Sequence, residues 1–495
     1  MMTTRREFLR TAALAAASPA ATSLALGGRE PFNLVFIIVD QHSGVALGCA
    51  GHPIVRTPNL DSLAKQGVFF THAYTAGVTC APSRASMDTS LRVQRHGVRE
   101  NGVPLGIEFQ TLWTILEKNG YTLSAGQGGR GRIAQHLEWL VRLGYKDVAS
   151  PIIGSKDKAQ IIPTPYRYAV GRAGLSPEHT LDAWTVQNAT RFLDENKDRR
   201  FCLTVQLHGP HDPWVAPAPY DTLYRPSDLP LPPYRAGEYE SKPAMQKRIW
   251  RETGADRFTD EQIRIILAHY YGLVTYSDML VGKVLNKVAA LGLDDKTVVV
   301  YTADHGDMMG THRMFTKGFA FYEPAIRIPL ILRAPGGASR GWKVAGAVSN
   351  IDFLPTMLDL LGLPPARGVE GRSLVSLWRA AAKGREVVFG GEGFEGDDRL
   401  VMIRTRQWKL TRYDEGGGEL YDLERDPNEL DNVITNPKYT AVVRQLTRQL
   451  EHWDTEYPHA ELRIPPQAER ADPQRWARVR AAFEEWKKKP GSRVP

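Results

Sequence analysis

The chain contains three cysteines, Cys49, Cys80 and Cys202, and one of them stands in "TCAPSRASMDTSL", residues 79–91. An odd cysteine count does not build a disulfide framework. Cys202 lies inside the apolar run "FCLTVQL" and reads as a buried core residue. Cys80 is different. Pro82 pre-sets the first turn of a helix, which puts Cys80 at the positive helix end, where backbone N–H groups favour an anion. Arg84 follows one turn on and can point back to the same place. A thiolate nucleophile is one reading of this pattern; a buried, inert cysteine is the other.

A second set of reactive residues stands at the ends of apolar runs. "NLVFIIV" (33–39) is followed by Asp40-Gln41, "FCLTVQL" (201–207) by His208-Gly-Pro-His211, and "TVVVYTA" (297–303) by Asp304-His305. Two carboxylates, an amide oxygen and an imidazole nitrogen can together hold a divalent cation. A single aspartate at a strand end is as often a capping residue; only the set together points to a metal.

These residues need elements to bring them together. The three runs are rich in β-branched residues and read as buried strands, and "PLILRAP" (329–335) as a fourth. Helices are expected at 57–67, with Thr57 as N-cap, Pro58 in the first turn and Gly67 as the stop, at 111–120, within 180–197, and over 261–291. Strands alternating with helices imply an α/β fold with a large, mostly parallel central sheet flanked by helices, whose ligand site lies beyond the carboxyl ends of the strands. From about 385 short strands with turn-like breaks such as "DEGGG" suggest a small antiparallel sheet, followed by helices near 437–452 and 473–488. The proline-rich segment 209–245 reads as a long surface loop bordering the site. The expected organisation is an export signal over 1–30, a catalytic α/β domain over 31–380 and a C-terminal subdomain over 381–495.

With 495 residues, 42% of them hydrophobic, the chain can bury a large core. The first residues, with Arg5-Arg6, Phe8-Leu9 and an alanine-rich run broken by Ser18-Pro19, read as a twin-arginine export signal rather than a membrane span. The expected location is the bacterial periplasm. The leader carries a net +2 of the chain's +8, leaving a mildly basic protein suited to an anionic substrate. That charge is diffuse and no nucleic-acid-binding motif is present.

Several motifs resemble, in order, those of the type I sulfatases of the alkaline-phosphatase-like superfamily: "FIIVDQHS", "TPNLDSLAKQGVFFTHAYT", "CAPSRASMDTSL", "HGPHDPW", "YTADHGDMMGTHRMFTKG", "NIDFLPTMLDLLG" and "ELYDLERDPNELDN". The resemblance implies that Cys80 is oxidised to formylglycine by a formylglycine-generating maturation enzyme. It implies metal contacts from Asp40, Gln41, residue 80, Asp304 and His305, with Ca2+ as the metal; the nitrogen of His305 makes Mn2+ the alternative. Arg84 would stabilise residue 80 and the anion, Lys317 would neutralise developing charge, and His211 would serve the leaving-group oxygen as a general acid. The implied reaction is hydrolysis of a sulfate ester on an anionic small molecule or carbohydrate.

The chain departs from the pattern in three places. Gln127 and Gly129 stand where many sulfatases carry lysine and histidine, with Arg130 close by; Thr89-Ser90 replaces Thr-Gly; and Asp304-His305 replaces an aspartate–asparagine pair. The last resembles phosphonate monoester and phosphodiester hydrolases of the same superfamily. Those activities are the alternative, and a non-catalytic anion-binding relative is a third.

Overall fold

The computed structural model describes residues 31–124, 130–143, 159–161, 168–317, 319–337, 339–379, 383–395, 398–456, 459–464 and 466–488. The expected export signal, Gln127 and Gly129 lie outside the described residues.

The first part of the chain runs β1 (Asn33–Val39), α1 (Pro58–Gln66), β2 (Val68–Phe70), α2 (Cys80–Thr89), β3 (Thr122–Leu123), α3 (Leu181–Asn196), β4 (Phe201–Leu207), α4 (Asp260–Ala290), β5 (Thr297–Ala303), β6 (Leu330–Arg333) and β7 (Trp342–Val344). Its strands form one seven-stranded sheet in the order β7-β2-β6-β5-β1-β4-β3. Six strands run parallel; β6 alone runs antiparallel to both its neighbours, β2 and β5. Every residue of β1 and β5 is buried, as the unbroken apolar runs require for strands covered on both faces. The register fixes the site. Val39 lies opposite Leu207 in β4 and Ala303 in β5. Asp40, His208 and Asp304 therefore emerge side by side at one sheet edge.

The helices that pack the sheet begin where local chemistry dictates. In α4, Thr259 and Gln262 form a reciprocal capping box. In α1 the expected boundaries hold, but for other reasons than expected. The Thr57 hydroxyl accepts from Gly48 N (2.9 Å) and donates to Asp61 Oδ1 (3.1 Å) instead of capping the helix. Gly67 is extended, with φ −128°. Glycine is needed there because a Cβ would come within 2.2 Å of the Leu332 carbonyl oxygen in β6.

The segment 209–245 is not simply a surface loop. Trp214–Ala216 is a buried strand lying parallel to Ala169–Arg172. Further on, Lys242 is buried, with its ammonium donating to the hydroxyls of Tyr322 (2.8 Å) and Tyr421 (2.6 Å) and paired with Glu419 at 3.2 Å. A buried ammonium needs such partners, and they tie the segment to the C-terminal part.

That part is an antiparallel sheet of β8 (Val387–Glu392), β9 (Leu400–Thr405), β10 (Trp408–Tyr413) and β11 (Gly418–Asp422), followed by α5 (Thr440–Thr455) and α6 (Pro473–Lys487). Leu446, Leu450 and Trp453 of α5 cover one face of the sheet through Val401, Ile403, Leu410 and Leu420. Trp476 and Val479 of α6 pack with Ala85 of α2, so the chain's end reaches the helix that carries Cys80. Among the described residues no helix is long and apolar enough to cross a membrane.

Candidate active site

Asp40, Cys80, Asp304 and His305 each point one ligand atom into a common volume, all within 4.8 Å of one another. Asp40 leaves β1 just before Gln41, whose φ of 66° places it in the left-handed region. That conformation costs a non-glycine residue about 1 kcal/mol and is a common mark of a functional turn. Gln41 N then donates to Asp304 Oδ1 at 3.2 Å, stitching the end of β1 to the end of β5. After His305, Gly306 lies so close to the 324 carbonyl that a Cβ would stand 2.0 Å from its oxygen.

The protonation pattern suits a cation. Asp40 is half-buried, which opposes ionisation, but Arg84, His211, His305 and Lys317 outweigh this and hold its carboxyl well below the usual range. The His305 ring nitrogen Nδ1 donates to the Gly306 carbonyl at 2.9 Å, which leaves the Nε2 lone pair facing Cys80 Sγ (3.3 Å) and Asp40 Oδ1 (3.6 Å). Burial pushes His305 down to about 4, so the imidazole is neutral. A neutral imidazole with an oriented lone pair, beside two carboxylates, is a fitting donor set for a divalent metal.

Arg84 closes one side. Its Nε donates to Asp304 Oδ2 at 2.8 Å and a terminal nitrogen to Asp40 Oδ2 at 3.1 Å. Lys317 closes the other, donating to Gln41 Oε1 (2.9 Å) and to His211 Nε2 (2.8 Å). The Gln41 oxygen keeps a second lone pair for a cation, and its Nε2 donates to Asp307 Oδ2 at 2.7 Å. His211 Nδ1 donates to the Asp212 carbonyl at 2.6 Å. His211 Nε2 is therefore an acceptor here, and it can give a proton to a leaving group only after gaining a second one.

Two expectations for Cys80 change. Burial, with Asp40 and Asp304 alongside, pushes its thiol above the ordinary value, which disfavours a thiolate nucleophile. Three N–H groups around the start of α2 are also already used. Val78 N and Thr79 N donate to Glu392 Oε2 at 2.6 and 3.0 Å, and Ala81 N donates to Asn101 Oδ1 at 2.8 Å. Arg84 and Lys317 are the charged groups at the site that can meet a substrate anion. Glu392 and Asn101 carry no local signal in the sequence, and the Glu392 contacts span more than 300 residues. Asp307, three residues beyond Asp304, was likewise not singled out; burial pushes its carboxyl up to about 7.

The Thr89-Ser90 departure has a structural explanation. Ser90 ends α2 in the left-handed conformation, φ 60° and ψ 33°, where glycine is favoured. Its hydroxyl donates to the Ile351 carbonyl (2.6 Å) and accepts from Gly371 N (3.0 Å), two bonds that glycine could not make. Arg130 begins a helix, Arg130–Arg142, after the undescribed residues 125–129.

Comparison with known proteins agrees with this geometry. The family model described as Sulfatase matches residues 32–363. A model of the C-terminal part of N-sulphoglucosamine sulphohydrolase matches residues 310–456. An arylsulfatase of Clostridium perfringens is 29% identical over 462 residues, covering 84% of this chain and 93% of that one. The phosphonate monoester hydrolase of Agrobacterium radiobacter superposes with a TM-score of 0.75 at 25% identity, covering 86% of this chain and 96% of that one. BT4656, solved in complex with its substrate D-glucosamine-2-N,6-O-disulfate, shares the fold with a TM-score of 0.67 at 20% identity, covering 86% and 98%.

Proposed function

This chain belongs to the sulfatase family of the alkaline-phosphatase-like superfamily and is a sulfuric ester hydrolase, and from that premise we propose that it cleaves the sulfate ester of a sulfated carbohydrate, with residue 80 as a formylglycine nucleophile. The observation that carries this reading is the position of Cys80 Sγ, 3.3 Å from His305 Nε2 and 3.8 Å from Asp40 Oδ1. Sγ stands in for an oxygen of the hydrated aldehyde. A sulfated sugar is the class to test first because a neighbour of the same fold acts on one. We also propose export by the twin-arginine route, from the residues before 31.

Asp40, Gln41, Asp304 and His305 would hold the metal, Ca2+ or Mn2+. When bound, it supplies Lewis acidity that lowers the pKa of a coordinated hydroxyl and polarises the ester oxygens. The aldehyde hydrate at residue 80 supplies two geminal hydroxyls, one to attack sulfur and one whose deprotonation expels sulfate. Arg84 keeps residue 80 facing the carboxylates and offers charge to the ester oxygens. Lys317 is half-buried, which opposes its charge, yet the carboxylates of Asp40, Asp212 and Asp304 hold its ammonium charged. It therefore brings a fixed positive charge to the point where negative charge develops. His211, on the far side of Lys317 from Gln41, gives a proton to the departing alcohol oxygen once it is doubly protonated.

The test is a substrate panel on protein co-expressed with the maturation enzyme: sulfated monosaccharides, an aryl sulfate, a phosphonate monoester and a phosphodiester. The expected result is turnover of sulfate esters, with a sugar sulfate the best substrate. Turnover of the phosphonate or phosphodiester alone would replace this reading with the second one, which the Asp304-His305 pair and the likeness to the Agrobacterium radiobacter enzyme favour. Turnover of none would leave an anion-binding relative. With the best ester in hand, Lys317→Ala is expected to lower kcat/KM by about a hundredfold or more, as loss of an oxyanion donor does. A change below threefold would remove Lys317 from the mechanism.

A further inference from the structure

Residue 80 is bracketed. Upstream, the carboxylate of Glu392, at the end of β8, takes the N–H groups of Val78 (2.6 Å) and Thr79 (3.0 Å) on one oxygen and the Thr79 hydroxyl on the other. Glu392 is only 4% exposed. Downstream, the Asn101 side-chain oxygen takes the N–H of Ala81 at 2.8 Å. Thr79 is the N-cap residue of α2 by position, yet its hydroxyl makes no capping bond to the helix, being turned to Glu392. The two flanks of residue 80 are thus anchored to groups that lie outside α2.

Such anchoring has a chemical use. A nucleophile must be held within about 0.5 Å of its productive position, and a displacement of about 1 Å can lower a rate about a hundredfold. Residue 80 is the first residue of α2, where helix hydrogen bonds give the least restraint. Arg84, Asp40 and His305 act on the side chain, and the backbone needs its own restraint. We propose that Glu392 and Asn101 are positioning residues that clamp the backbone on either side of residue 80 and so aim its side chain at Asp40 and His305. This rests on the proposed function only in taking residue 80 as the nucleophile.

The clamp is testable without turnover. In full-length protein made without the maturation enzyme, residue 80 is a thiol whose alkylation by iodoacetamide can be followed by peptide mass spectrometry, with buried Cys202 as the internal reference. Asn101→Leu and Glu392→Leu, which each remove the acceptor, are expected to raise the Cys80 rate at least fivefold while Cys202 is unchanged. Asn101→Asp keeps the acceptor, and its charge disfavours a thiolate, so its rate should stay at or below that of the parent. In matured protein, Asn101→Leu should lower kcat at least tenfold with KM within twofold, unchanged aldehyde content and unchanged metal content. An unchanged Cys80 rate in Asn101→Leu, or a rise in Asn101→Asp, overturns the proposal. So does a raised KM with kcat intact, which would make Asn101 a substrate contact. Should Glu392→Leu fail to fold, the exposed Asn101 pair decides alone. Should the matured parent turn over no ester, the functional reading fails while the alkylation rates still decide the clamp.

Discussion

Cys80→Ala is expected to lower kcat/KM on the best ester by on the order of 10^6-fold, the scale seen when a covalent catalyst loses its nucleophile. The substitution removes one small, partly buried side chain, and the surrounding ion pairs of Arg84 with Asp40 and Asp304 do not depend on it. Folding should therefore be nearly unaffected. The matured parent should carry a matching signature, a peptide around residue 80 lighter by about 18 Da than the thiol form, as conversion of a thiol to an aldehyde side chain requires. Activity of Cys80→Ala at the parental level would end the covalent mechanism, and so would a fully active parent that retains an unmodified thiol.

Asp40→Asn and Asp304→Asn should each strip the metal, to below about a tenth of the parental content, and abolish turnover with it. Each change preserves shape while removing one of the two negative charges that a hard divalent cation needs. Asp304 is the more sensitive position. Its carboxylate accepts from Arg84 Nε, Gln41 N and His305 N at 2.8, 3.2 and 2.9 Å, and it is wholly buried. The loss should also cost about 2 kcal/mol of stability, below the full cost of breaking a buried pair because Arg84 keeps Asp40. Elemental analysis showing parental metal in both variants would refute the ligand set.

Much of this site was legible in the sequence because strand ends are where a parallel sheet displays its ligands. The runs ending at Asp40 and Asp304 are long, apolar and β-branched, and a buried strand is the only economical home for them. What brings Asp40 level with Asp304 is the register of β1 on β5, and no local pattern encodes that. Length limits the reading elsewhere: β3 has two residues and β7 three, too few for any periodicity. The segment 209–245 misled because prolines mark irregular backbone, not exposure. Trp214 and Lys242 are both buried inside it. The positive helix end at Cys80 is partly occupied, because residues 101 and 392, remote from it in sequence, take three of the N–H groups around it.

The buried contacts between the two sheets bear on how such a protein can diversify. Glu323 belongs to the catalytic half of the chain, yet it pairs with Arg404 at 3.2 Å and Lys409 at 3.4 Å of the small sheet. Lys242 reaches the same sheet through Glu419. An accessory domain can be exchanged by recombination when its interface is shallow and tolerant. Here a crossover near residue 383 would separate charges that are buried only because each has its partner, and it would put a foreign side chain in the place of Glu392. The small sheet can therefore be exchanged only together with its charged partners in the catalytic half. New substrate ranges are more easily reached by varying surface loops than by trading the C-terminal third of the molecule.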